Sequence, residues 1–100
     1  LLSKSSVALM GSTNIGELTL NMGGAIDSDQ FGLGFAFVND IGSQTFISGK
    51  GMIYWGGAYN TRFVLDPVND FYAISMTQLY PNFHCDLNNR IISLVYQALQ

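Results

Sequence analysis

The chain has one cysteine, Cys85, two prolines, one histidine, one tryptophan and only four cationic side chains in 100 residues. Each scarcity excludes something. A single cysteine cannot close an internal disulfide or build a cysteine-based metal site, and it leaves the redox compartment open. Lys4, Lys50, Arg62 and Arg90 are scattered among seven acids, for a net charge of −3. With no basic cluster, nucleic-acid binding has no electrostatic footing. No apolar run approaches the ~18–20 residues needed to span a bilayer. Leu1-Leu2-Ser3-Lys4 lacks the basic flank and apolar stretch of a secretory signal. It has no initiator methionine and opens directly on a helix signal, so it reads as an internal cut in a longer protein.

What is abundant is apolar surface. Hydrophobic residues make up 48% of the chain and aromatics 13%, against 11% charged. That is more apolar and less charged than an average soluble domain. Either the chain carries surfaces meant to be covered by something outside it, or it is a tightly packed β-rich domain. Its length is that of one small domain or part of a larger one, with a marginal core.

Periodicity and turn chemistry set the order of elements. Ser3 is placed to cap a short helix over Lys4 to Met10. A loop follows over Gly11 to Gly16, then an irregular connection over Glu17 to Gln30. From Phe31 to Val38 the residues alternate as in a strand, with Phe31, Leu33, Phe35 and Phe37 on one face. Gly32, Gly34 and Ala36 make the other face nearly flat, open to close approach by a helix or another backbone. Asn39 to Gly42 signals a turn, and Gln44 to Ser48 a second strand. Met52 to Trp55 is apolar and breaks at Gly56-Gly57. Asn60 to Leu65 and Phe71 to Gln78 read as a hairpin, joined by a turn over Asp66 to Asp70. Asp86 is placed to cap a last helix over Leu87 to Leu99, whose apolar stripe is Leu87, Ile91, Leu94, Val95 and Ala98. Ile92, Tyr96 and Leu99 widen that stripe, predicting burial on more than one side. The predicted fold class is α+β: an antiparallel sheet of about four to five strands between a short N-terminal helix and a C-terminal packing helix. No internal repeat or linker divides residues 1–100.

The segment Gly51 to Pro67, with Trp55-Gly56-Gly57 at its centre, carries the main chemical signal. Two glycines have no side chains, so a substrate can lie against the strand backbone. Main-chain amides beside them can donate to an oxyanion or pair with an extended substrate. This segment, with Met76-Thr77-Gln78 and Leu94 to Leu99, resembles the C-terminal end of the serine β-lactamase-related family. That family includes class C β-lactamases, D-alanyl-D-alanine carboxypeptidases and family VIII carboxylesterases. The helix at Leu1 to Met10 and the Phe31-Gly32-Leu33-Gly34-Phe35 stretch resemble other parts of the same region, so the likeness spans nearly the whole chain.

The resemblance implies a serine hydrolase with three motifs. Ser-x-x-Lys supplies the nucleophile and its activating amine, and Tyr-x-Asn or Ser-x-Asn is the second motif. The third lies on an edge strand as Lys-Thr-Gly, His-x-Gly or Trp-Gly-Gly, the last form matching residues 55–57. It implies an oxyanion-hole amide at Ala58, an indole wall at Trp55, and a substrate cleft bordered by Gly56, Gly57, Tyr59 and Arg62. No cofactor and no metal are implied. The substrate classes are esters, β-lactams and D-Ala peptides, with esters favoured because the motif's cation is replaced by Trp55. No serine of this chain stands three residues before a lysine, so the chain alone should be inactive, its nucleophile supplied by a missing N-terminal region of the same protein. The alternative is a non-catalytic binding or structural module derived from the same fold.

Other polar groups read as structural. Tyr80-Pro81-Asn82 spells Tyr-x-Asn but follows the last strand, where a Pro-centred turn explains it. His84 and Cys85 are adjacent, and neighbours in sequence rarely face one another. The pairs Asp27 with Asp29 and Asp66 with Asp70 offer too few oxygens for calcium and suit turns. Arg62 shares a strand face with Asn60 and is placed either to meet a substrate carboxylate or to stand exposed. The resemblance implies that N-terminal strands pair beside the last strand in the intact fold; without them Phe71 to Gln78 offers an unpaired edge, which predicts a homo-oligomer through that edge or the exposed apolar helix faces. Nothing in the sequence sets its localisation.

Overall fold

The computed structural model describes residues 1–12, 14–18, 29–39, 49–81 and 86–99. The predicted strand at Gln44 to Ser48, together with Asp27, Asn82, His84 and Cys85, lies outside these residues. The described elements are α1 (Lys4–Met10), β1 (Gln30–Phe31), β2 (Ala36–Phe37), β3 (Ile53–Gly56), β4 (Arg62–Asp66), β5 (Phe71–Ser75) and α2 (Leu87–Leu99). The strands form one antiparallel sheet in the order β1-β2-β3-β4-β5. The architecture is therefore α+β, with a short helix before the sheet and a longer one after it.

Both helices keep the bounds their signals predict. Ser3 caps α1 by accepting a hydrogen bond from the Ser6 amide at 3.1 Å, satisfying one of the orphan donors of the first turn. The helix buries none of its residues, and Val7 and Leu9 stay more than half exposed.

The predicted strand over residues 31–38 is instead a hairpin. β1 and β2 pair Gln30 with Phe37 and Phe31 with Ala36. Between them the Gly32 amide donates to the Phe35 carbonyl at 2.8 Å, and Gly34 takes φ of 101°. That dihedral is open to glycine and to few other residues, so the chain reverses where side-chain alternation alone predicted extension. The flat glycine face does meet a helix end. A Cβ on Gly32 would stand 2.6 Å from the Met10 carbonyl oxygen and 2.7 Å from that of Ser12. Both are main-chain atoms, so Gly32→Ala must push α1 away from the sheet. The expected cost is about 1–3 kcal/mol, the usual penalty of overpacking. A urea-denaturation midpoint indistinguishable from wild type contradicts this contact.

β4 sorts the sheet into two faces. Val64 and Asp66 are buried toward α2, while Phe63 and Leu65 point to the other side. On the α2 side, Ala36, Val38, Met52, Tyr54, Val64, Ile92 and Tyr96 form the core. On the other side the end of α1 reaches Ile53, whose Cδ1 is 3.1 Å from a Cβ built on Gly11. Farther along that side, Tyr72, Ile74 and Met76 are largely exposed.

The buried face of α2 is not the predicted apolar stripe. Leu94 and Leu99 are exposed, and the buried residues are Ile92 and Tyr96. Polar side chains decide the difference. Asn88 donates to Asn60, Asn89 accepts from Arg62, and the Tyr96 hydroxyl donates to Asp66. Residues 88, 92 and 96 lie at i, i+4 and i+8, on one face. Hydrogen bonds at both ends of that face set the helix rotation.

Candidate functional site: the Trp55 to Tyr59 turn

β3 ends at Gly56 and turns back into β4 through Gly57-Ala58-Tyr59-Asn60. The Asn60 amide donates to the Gly57 carbonyl at 3.1 Å, and the Gly57 amide to the Thr61 carbonyl at 3.0 Å. Asn60 sits at φ of 61°. This is a hairpin loop closed by a bulge residue in the left-handed region, which Asn tolerates better than most residues. Asn60 is buried, and its main-chain oxygen accepts from Thr77 Oγ1 at 3.0 Å and Asn88 Nδ2 at 3.2 Å. Asn88 Nδ2 also reaches Asn60 Oδ1 at 2.6 Å. Thr77 Oγ1 reaches the Tyr59 carbonyl oxygen at 2.6 Å as well. The turn is thus fastened from β5's continuation and from the start of α2.

β3 is not an edge strand. It lies between β2 and β4, which corrects the prediction that the Trp-Gly-Gly strand borders the sheet. The reach of β2 limits that correction, because it pairs only with Ile53 and Tyr54. Trp55 and Gly56 have β4 alone as ladder partner, through Phe63 and Arg62. Main-chain groups alternate sides along an antiparallel ladder. With the Gly57 amide turned to Thr61, those of Gly56 face the side where β2 has ended. The Ala58 amide has no hydrogen-bond partner among the described residues.

Residues 56–59 are exposed, and two adjoining grooves open beside them. One, of about 600 Å3, runs along Gly57, Ala58, Tyr59, Thr61, Met76 and Thr77. The other, of about 250 Å3, is more apolar and lies among Trp55, Gly57, Arg62, Phe63, Ile74 and Met76. Trp55 is half-buried and meets Phe31 edge-on at 5.0 Å. Tyr59 lies against Tyr80 at 5.4 Å. The structure therefore gathers Trp55, Gly56, Gly57, Ala58 and Tyr59 on one open surface.

Arg62 borders the smaller groove, but its guanidinium is directed toward α2. Its Nη1 donates to Asn89 Oδ1 at 2.7 Å, and its guanidinium lies 4.7 Å from the centre of the Tyr54 ring. Burial pulls its pKa below the ordinary arginine value, opposed by Tyr54, Asp29 and Asp86. The guanidinium thus braces α2 against the sheet on the face away from Trp55. Beneath it the Tyr54 hydroxyl donates to fully buried Asp29 at 2.6 Å. Burial first, then this hydrogen bond, push the Tyr54 phenol well above its usual range.

The two glycines also serve the hairpin. A Cβ on Gly56 would stand 2.9 Å from the Thr61 carbonyl oxygen, and one on Gly57 2.7 Å from Thr61 Oγ1. Bare backbone at Gly56 is required for β3 and β4 to close, apart from any substrate, whereas at Gly57 the neighbour is a side-chain hydroxyl that can turn aside. Thr61, Phe63, Ile74, Met76 and Thr77 complete the surface, and sequence reasoning did not assign them to it. Alternation along β4 carried part of the signal, since Trp55, Thr61 and Phe63 share a face. The contribution of residues 74–77 depends on the β4–β5 register.

Of the acid pairs, Asp66 does turn chemistry. Its Oδ1 accepts from the amides of Val68 and Asn69 at 3.0 and 2.9 Å. No group of three or more His, Cys, Asp or Glu side chains able to hold a metal converges among the described residues. No helix among them is long and apolar enough to cross a membrane. No protein-family model matches the chain, and no curated protein matches it.

Proposed function

We propose that this chain forms the closing wall of a serine acyl-hydrolase active site, with Ser-x-x-Lys supplied by a preceding region of the same protein. The observation that carries the reading is the Ala58 amide. It has no partner among the described residues, stands in a turn fastened by Asn60, Thr77 and Asn88, and borders an open groove beside Trp55-Gly56-Gly57. A fixed main-chain donor with no partner among the described residues suits an oxyanion that forms only in the transition state. One such donor is worth about 3–4 kcal/mol of barrier.

The groove chemistry favours neutral esters over β-lactams or D-Ala peptides. Trp55, Phe63, Ile74 and Met76 line it, and the guanidinium of Arg62 is turned toward α2. A substrate carboxylate finds there only Arg62, whose guanidinium is engaged by Asn89 and the Tyr54 ring, whereas an apolar acyl or alcohol group finds a matching wall. The reaction is transfer of the acyl group to the serine hydroxyl with release of the alcohol, then hydrolysis of the acyl-enzyme by water.

The second reading is a non-catalytic module of the same architecture, favoured by the purely structural need for Gly56 at the hairpin. Expression of the complete coding sequence discriminates the two. The hydrolase reading expects a Ser-x-x-Lys on an upstream helix and turnover of p-nitrophenyl butyrate that a fluorophosphonate abolishes. A complete product without that motif, or with it and without ester turnover, sinks the hydrolase reading. The chain of residues 1–100 alone is expected to be inactive in the same assay.

A further inference from the structure

The Ala58 amide belongs to a peptide unit whose other end is held. The Gly57–Ala58 bond is trans, so its N–H points opposite to the Gly57 carbonyl within one rigid plane. That carbonyl accepts from the Asn60 amide at 3.1 Å. Whatever fixes Asn60 therefore fixes the direction in which Ala58 donates.

Asn60 is fixed from α2. Asn88, the second residue of that helix, gives its amino group to Asn60 Oδ1 at 2.6 Å and to the Asn60 main-chain oxygen at 3.2 Å. Both targets are oxygens, so Asn88 must present Nδ2 to them. Its own Oδ1 is left buried with no hydrogen-bond partner among the described residues. A bare buried acceptor is destabilising, and folded proteins keep few of them. Here it accompanies a donor aimed at Asn60. Thr77 adds a second tie, from Oγ1 to the Tyr59 and Asn60 carbonyl oxygens at 2.6 and 3.0 Å. Asn88 lines neither groove, so it reaches a substrate only through the turn.

We propose that Asn88 is a positioning residue: through Asn60 and the Gly57–Ala58 peptide plane it aims the Ala58 amide at the oxyanion. This rests on the acyl-hydrolase reading and adds to it a residue of the final helix that touches no substrate. An oxyanion donor is most effective when it is in place before the charge develops. A displacement of ~1 Å, even one caused from outside the site, can cost about 100-fold in rate.

Ester kinetics of the complete protein test it, with Asn88→Ala compared with Asn89→Ala. The second variant is a matched control, because it removes the neighbouring bond between α2 and Arg62 and leaves the turn alone. Asn88→Ala is expected to lower kcat for p-nitrophenyl butyrate by up to about 100-fold with KM changed less than about twofold. Asn89→Ala is expected to keep the wild-type kcat. Thr77→Val removes the second tie while keeping the shape of the side chain. It is expected to lower kcat by less, and it carries the test if Asn88→Ala does not fold. Equal kcat losses in Asn88→Ala and Asn89→Ala show only a loosened helix and overturn the proposal. So does a loss confined to KM, or a wild-type kcat in Asn88→Ala or, where that variant does not fold, in Thr77→Val. A wild-type protein without ester turnover is a separate result, which overturns the hydrolase reading and this inference with it.

Discussion

Asp66→Ala is expected to be the most damaging single substitution for folding, lowering stability by about 3 kcal/mol, the range for losing a buried, multiply bonded polar group. Asp66 is 1% exposed, yet its carboxylate ends β4, builds the turn into β5 and ties down α2. Oδ1 accepts from the Val68 and Asn69 amides, and Oδ2 from Asn69 Nδ2 at 2.8 Å and from the Tyr96 hydroxyl. Removing it leaves the Tyr96 hydroxyl without its acceptor in the core and releases the turn in which Asp70 holds φ of 53°. Tyr96→Phe removes one of these bonds and is expected to cost less, about 1.5–3 kcal/mol as for a hydrogen bond to a charged group.

The same carboxylate gives stability a direction with pH. Burial by itself raises the Asp66 pKa. The hydrogen bonds from Tyr96, Asn69 and Val68 outweigh it and hold the carboxyl below its ordinary value. A group whose folded pKa is depressed contributes fully above the unfolded value, about 3.9 for Asp. That contribution is lost as pH falls through the lower, folded value. Wild type is therefore expected to lose stability below about pH 4 more steeply than Asp66→Asn, which has no proton to take up there. Chemical denaturation of both at several acidic pH values checks this. Parallel profiles contradict the role assigned to Asp66.

On the hydrolase reading, Gly56→Ala in the complete protein is expected to reduce ester kcat/KM about 100- to 1,000-fold, the effect of losing one oxyanion donor. The added Cβ meets the Thr61 carbonyl oxygen, a main-chain atom that cannot swing aside. β3 and β4 must separate at their tip, and the Ala58 amide moves with them. Gly57→Ala meets only Thr61 Oγ1, a hydroxyl that rotates away, and is expected to cost far less. The loss should fall mainly on kcat, because the donor acts in the transition state. Equal losses for the two variants, or a Gly56→Ala loss confined to KM, contradict the positioning of Ala58.

Local chemistry was legible where neighbouring residues decide it. The cap at Ser3, the bounds of both helices, the hairpin from β4 to β5 and the turn at Asp66 follow from residues a few positions apart. The Trp55 to Ala58 motif was legible too, because a break in apolar character at two adjacent glycines is a local feature. Alternation misled at 31–38, where Gly34 reverses the chain. It could not weigh a left-handed dihedral against eight residues of alternating pattern.

By itself, then, the sequence determined an α+β chain with an antiparallel sheet between two helices, a Gly-Gly turn beside an indole, and an excess of apolar surface. Only the tertiary structure decided which way α2 rolls, that Arg62 braces α2, and that β3 lies inside the sheet with its tip uncovered. It also brought Thr77 and Asn88 to the turn at Asn60. The reason is physical. Helix and turn signals arise from contacts within one or two turns of chain, whereas these arrangements depend on hydrogen bonds between residues 17–30 positions apart, which no local period encodes.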